Sequence, residues 1–172
     1  TASSPSMCSG AMYWIVPRIV PCAVRLCSKV GAIDVPDAVT VSLHCAQNFP
    51  ARKASSDWDI ELAKGMGDAE YLKTVEDTLG YLLPLYQPDI VLYDAGVDVH
   101  AEDALGYLDQ PATGIPARDE SVVRHCLERD IPVAGLIGGG YDKDRHALAR
   151  RHGILHHSAR KVWGEFKCRP GA

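Results

Sequence analysis

The sequence predicts an α/β fold in which a parallel β-sheet is flanked by helices, and three observations lead to it. Short β-branched or apolar runs alternate with stretches of helical period, in the order strand, helix, strand, helix, strand. Each apolar run is bounded by proline, glycine or aspartate, the residues that punctuate strands. The chain of 172 residues is 47% hydrophobic and 23% charged, the composition of a globular protein or of part of a larger domain.

The alternation begins at Asp37. Ala38, Val39, Thr40, Val41, Ser42 and Leu43 form a β-branched run after Pro36 and read as a buried strand. Asn48 to Gly67 is polar and broken by Pro50, Gly65 and Gly67, which predicts a long loop containing a short strand or turn. Asp68 then stands as an N-cap with Glu70 in the first turn. Tyr71, Leu72, Val75, Leu79, Leu82 and Leu83 recur at helical steps up to about Pro84. Ile90 to Asp94 reads as a second strand, Arg118 to Arg129 as a helix with Val122, Val123, Cys126 and Leu127 on one face, and Pro132 to Ile137 as a third strand. Arg145 to Phe166 reads as a final helical region broken or kinked near Gly153. In such a sheet ligands sit at the carboxyl ends of the strands, so the loops after Leu43, Tyr93 and Ile137 are expected on one rim. Residues 1–36 fit neither the helical nor the strand template and form an atypical segment before a domain at 37–166 and a tail at 167–172.

The formal net charge is -4, from 18 basic and 22 acidic residues, so no general attraction to nucleic acid or to an anionic membrane is expected. The six cysteines form no Cys-x-x-Cys pair, which points away from a zinc ribbon and towards reduced thiols in the cytoplasm. The apolar stretch from Tyr13 to Val24 is interrupted by Pro17, Arg18 and Pro21 and is too short to cross a bilayer. Nor does it have the order of a secretory signal.

Two rim loops are chemically specific. One runs from Asp94 through Gly96, Asp98, His100 and Asp103 to Gly106; the other is Ile137-Gly138-Gly139-Gly140-Tyr141. Taken alone, an aspartate after a strand is a turn or capping residue more often than a ligand, and a glycine run also ends strands or cradles phosphate. Together, however, these loops resemble those of the zinc-dependent histone deacetylase and acetylpolyamine amidohydrolase family, which has the arginase/deacetylase fold. Thr40-Val41-Ser42-Leu43-His44, Asn48-Phe49-Pro50 and Gly65-Met66-Gly67-Asp68 are similar to that family in the same order. The resemblance runs from about Pro36 to Phe166 and covers the C-terminal half of a family domain.

The resemblance implies hydrolysis of an acetyl-lysine peptide or small acetylated amine by zinc-activated water. It makes Asp103 the metal ligand and Tyr141 the catalytic group that polarises the substrate carbonyl, with Gly139 and Gly140 against the substrate and Ser42 and Leu43 at a structural K+. Asp98 and His100 fall to loop-shaping roles. The family's Asp-x-His ligands belong on a strand about twenty residues before Val41, a βα crossover away, near Val20 to Cys22. No Asp-x-His occurs upstream of Val41, and residues 1–36 hold no histidine for the His-His acid-base pair. His156 and His157 lie in the C-terminal helical tail, where a surface role is expected. Residues 1–36 are accordingly expected to derive from a truncated or disrupted reading frame, and the inherited activity to be impaired. A rival reading is a non-catalytic remnant or interaction module that associates through exposed sheet surface. A nucleotide-binding domain is disfavoured because the glycine run lacks the GxGxxG spacing.

Overall fold

The computed structural model describes the backbone at 12–15 and the chain at 38–48 and 55–168. Asn48 closes one described stretch, while Phe49, Pro50 and the expected Asp-x-His register at Val20 to Cys22 lie outside the described residues, as does 169–172. In chain order the elements are β1 (Met12–Ile15), β2 (Thr40–Cys45), β3 (Trp58–Leu62), α1 (Asp68–Tyr86), β4 (Val91–Asp94), α2 (Gly114–Leu127), β5 (Val133–Leu136) and α3 (Arg145–Lys167).

β2 is the expected strand, shifted two residues towards the C-terminus, and from Val41 to Cys45 every residue is buried. It pairs in parallel with β3, with Val41 opposite Trp58 and Cys45 opposite Leu62. β3 is the short strand inside the long polar stretch. β4 and β5 form a second parallel ladder, Val91 opposite Val133 and Asp94 opposite Leu136. β1 departs from the all-parallel expectation: it runs antiparallel to β2, with Met12 opposite Leu43, and comes from a segment in which no period is legible. β1 also lies beside β4, so the two ladders sit next to each other.

The helices form where the periodicity places them, but four details differ. Gly67 rather than Asp68 is the N-cap of α1 and contributes no side-chain bond. The Asp68 carboxylate presses instead on Gly114, the first residue of α2, where a Cβ would stand 2.1 Å from Asp68 Oδ1. Pro84 lies inside α1, which ends two residues later at Tyr86, with Gln87 as its C-cap in the left-handed conformation just before Pro88. α2 begins at Gly114, four residues before the first expected position, with Pro116 in the first turn where no intrahelical N–H is needed. α3 is one helix through Gly153, with no break: its Asp144 cap accepts the His146 and Ala147 N–H groups, and 23 residues of uninterrupted ladder absorb a single glycine.

The core gathers Val41 and Leu43 of β2, Leu62 of β3, Tyr71, Val75 and Leu79 of α1, Val91 and Tyr93 of β4, and Val122 and Cys126 of α2. One cation is sealed within it. Arg118 is 2% exposed and reaches three elements. Its Nε donates to Asp119 Oδ1 at 2.9 Å and its Nη1 donates to the Gly96 carbonyl at 2.7 Å. The Tyr93 hydroxyl of β4 donates to the same Asp119 oxygen, and the Tyr71 hydroxyl of α1 hydrogen-bonds Arg118. Burial alone would discharge this guanidinium, but the Asp119 carboxylate outweighs it and holds Arg118 protonated.

Arg118→Met is expected to cost roughly 3–5 kcal/mol in urea denaturation, because it strands Asp119 in the core without its counter-ion. The double variant Arg118→Met with Asp119→Leu is expected to recover most of that loss. A single-variant loss below about 1 kcal/mol would mean that the pair is not desolvated as described.

Candidate functional site

Parallel pairing brings the carboxyl ends of β4 and β5 together, and with them the two specific loops. Ala95 N–H donates to the Leu136 carbonyl at 2.9 Å, extending the ladder beyond Asp94, and Val97 N–H donates to the Gly139 carbonyl at 2.6 Å. The long loop then folds on itself: Gln110 N–H reaches the Val99 carbonyl and Ala101 N–H the Gln110 carbonyl. The result is a fixed platform under the triple-glycine turn.

The two aspartates of the platform sit in opposite chemical situations. Both oxygens of Asp103 are taken by N–H groups: Oδ1 accepts from Leu105 at 2.9 Å and Gly106 at 2.8 Å, and Oδ2 accepts from Tyr141 at 2.7 Å. Asp103 therefore ties the glycine loop to the platform, and the Ala104 N–H donates back to the Tyr141 carbonyl at 3.0 Å. Asp98 is 1% exposed, and neither of its oxygens has a hydrogen-bond partner. It lies between Gly96 and Gly139; a Cβ on Gly139 would stand 2.5 Å from its Oδ2, which is why the turn needs glycine there. Burial pushes the Asp98 carboxyl up to about 7, and the nearby Asp103 charge adds to the rise. Asp94 likewise keeps a buried oxygen without a partner, against Gly138.

Other expected site residues are placed as follows. Tyr141 is half-buried beside these loops. Gly139 and Gly140 face inward, Gly139 towards Asp98 and Gly140 towards Val97, Leu148 and His152. Ser42 and Leu43 are buried in β2, and the Ser42 hydroxyl bonds His44 Nδ1 at 2.8 Å. His156 and His157 are exposed on α3. His100 Nδ1 accepts the Glu102 N–H, and burial, reinforced by Arg151, lowers its pKa. Sequence reasoning passed over Arg118 and Arg151; the only signal of the first was a charged pair, Arg118-Asp119, at the start of an apolar helical stripe.

The donor set does not amount to a zinc site. Among the described residues no group of three or more His, Cys, Asp or Glu side chains is placed to hold a metal ion, whereas a zinc centre rests on about three protein ligands. Asp98 offers two unclaimed carboxylate oxygens on the platform, and Asp94 one beside Gly138.

Burial, opposed in part by Arg118, raises the Asp94 carboxyl from 3.8 to about 6. Between about pH 4 and 6 the folded chain therefore binds more proton than the unfolded chain. The stability this proton provides is full below the unfolded value and is lost as pH rises to the folded one. Asp94→Asn is thus expected to gain on the parent chain as pH goes from 4 to 7, by roughly 1–3 kcal/mol, and no further above it. Denaturation at pH 4 and pH 8 that shows the same difference between the two chains would contradict the buried, uncharged carboxyl.

Residues 31–156 match the family model described as the histone deacetylase domain. An uncharacterised protein of Picosynechococcus sp. is 45% identical over 130 residues, spanning 76% of this chain and 43% of its own length. Histone deacetylase 2 of Arabidopsis thaliana is 38% identical over 87 residues, 51% of this chain and 22% of its own. The acetylpolyamine aminohydrolase of Burkholderia pseudomallei superposes with a TM-score of 0.57 at 18% identity, covering 71% of this chain and 37% of that one. The HDA15 HD domain does so with a TM-score of 0.52 at 19% identity, over the same shares. The chain spans less than half the length of these relatives. With the family model covering most of its residues and the same α/β fold in both solved neighbours, the chain belongs to the histone deacetylase family.

Proposed function

We propose that this chain carries the carbonyl-polarising half of a deacetylase site, acting on an acetyl-lysine peptide or small acetylated amine. The observation that carries the reading is the binding of the Tyr141 turn onto the platform by Asp103, with Asp98 left buried and unpartnered beneath Gly139. In this assignment Tyr141 donates its hydroxyl proton to the amide oxygen as negative charge develops there. Asp98, rather than Asp103, is the carboxylate that would hold a metal, since both of its oxygens have no hydrogen-bond partner while Asp103 accepts three N–H groups. The family's zinc would supply the polarised water, but the described residues offer no set of three ligands for it, and the remaining ligands and the proton acceptor must come from elsewhere. A structural K+ at Ser42 and Leu43 and residence in the cytoplasm belong to the same reading. The latter rests on buried thiols at Cys45 and Cys126 without a disulfide partner.

The chain alone is expected to bind zinc weakly and to give no measurable deacetylation of acetyl-lysine peptides or acetylated polyamines. Mixed with a separately expressed N-terminal half of an intact relative, it is expected to gain turnover that falls about 10²–10³-fold in Tyr141→Phe. Asp98→Asn is expected to abolish that turnover, while Asp103→Asn weakens it through the loop. Robust chelator-sensitive activity of the isolated chain would overturn the division of the site.

A second reading, association through sheet surface, draws on one observation. The end of β5 is apolar and open, with Ile137 65% exposed next to exposed Leu136. Val133 to Tyr141 holds no charge to discourage edge pairing. Light scattering is expected to find concentration-dependent association that Ile137→Lys suppresses; a monomer at all concentrations would count against it.

A further inference from the structure

We propose that Arg151 is a positioning residue for Tyr141, acting by clamping the two site loops to α3; the functional meaning of the clamp rests on the reading of Tyr141 above. Arg151 is 8% exposed on α3. Its Nη2 donates to Glu102 Oε2 at 3.1 Å and its Nη1 stands 2.9 Å from Asp142 Oδ2. Glu102 precedes Asp103, which takes the Tyr141 N–H, and Asp142 follows Tyr141 itself. One guanidinium thus joins the residue on the far side of each backbone tie between the loops, Tyr141 N–H to Asp103 and Ala104 N–H to the Tyr141 carbonyl. A salt bridge to a side chain as exposed as Glu102, at 78%, is worth little by itself. Here its value is geometric, because the other two anchors, Arg151 and Asp142, are largely shielded at 10% and 20% side-chain exposure. The fork matters: two carboxylates on different loops need two nitrogens a fixed distance apart, which arginine has and lysine does not. Glu102 and Asp142 pair with this guanidinium, and His100 and Asp144 are the other titratable groups that feel its charge.

The test is amide hydrogen exchange by NMR on the whole chain. In Arg151→Met the Tyr141 and Ala104 amides are expected to exchange at least about tenfold faster, while amides of β4 and of α1 beneath Tyr71 keep their rates. Arg151→Lys is expected to restore protection only in part. Glu102→Gln, a change at an exposed side chain that leaves the fold intact, is expected to give an intermediate acceleration confined to the same two amides. Unchanged Tyr141 exchange in both Arg151→Met and Glu102→Gln would overturn the clamp, as would uniform acceleration across the chain in Arg151→Met with none in Glu102→Gln. Because exchange is read without turnover, a failure of the deacetylase reading would leave this result standing and be recognised separately.

Discussion

A buried guanidinium is the constraint on which the rest of this structure depends. Arg118 brings a full charge into the apolar centre between α1, β4 and α2, where an unpaired cation would cost several kcal/mol. Its neutralisation dictates local geometry in three directions: Asp119 beside it, the Tyr71 and Tyr93 hydroxyls around it, and the Gly96 carbonyl above it. Hydrophobic packing alone would tolerate small rotations of these elements, because apolar contacts have no preferred direction. A carbonyl held at 2.7 Å by a charged donor does not. The Gly96 carbonyl lies two residues before Asp98, so the core's electrostatic solution fixes the start of the site loop.

From that fixed start the loop divides work between its carboxylates. Asp103, at its far end, is surrounded by N–H groups that a turn must leave unpaired, and it gathers three of them. Asp98, on the strand side, is walled by Gly96 and Gly139, whose lack of side chains lets the carboxylate enter but whose backbones give it no donor in hydrogen-bond geometry. Spacing cannot distinguish the two. Both are aspartates in one polar loop after one strand: Asp103, the expected metal ligand, accepts three backbone N–H groups, while both oxygens of Asp98 have no hydrogen-bond partner.

How much was legible follows from what each feature depends on. The helical faces of Tyr71, Val75 and Leu79 and of Val122 and Cys126 could be read directly, because burial of a stripe is a local property of the period. So could the parallel pairing of β4 and β5, since a helix separates them. The exact start of α1 could not, because Asp68 does not cap its own helix and its carboxylate lies against Gly114, 46 residues away in sequence. β1 was invisible for a similar reason: four residues without alternation become a strand only by pairing with β2. The clamp of Arg151 on Glu102 and Asp142 is likewise tertiary, and an arginine in the basic stretch of α3 gives no hint of which partner it will meet.

The charge balance of the rim gives the proposed division of the site a physical rationale. Asp94, Asp98 and Asp103 converge on the glycine turn, and Arg118 and Arg151 are each committed to other carboxylates, Asp119 in one case and Glu102 and Asp142 in the other. Asp103 is stabilised by its donors. Asp94 and Asp98 are not, and burial holds both carboxyls well above the ordinary range. Such a pair is a standing cost to the folded chain at neutral pH, and an approaching cation would relieve it by stabilising the ionised form. The same cost explains why the platform is braced so thoroughly: without the Gly96, Gly139 and Tyr141 ties, the loop could lower its energy by turning Asp98 out to water. Fixed in place, the carboxylate stays in a low-dielectric setting, where a charge acts most strongly on its neighbours.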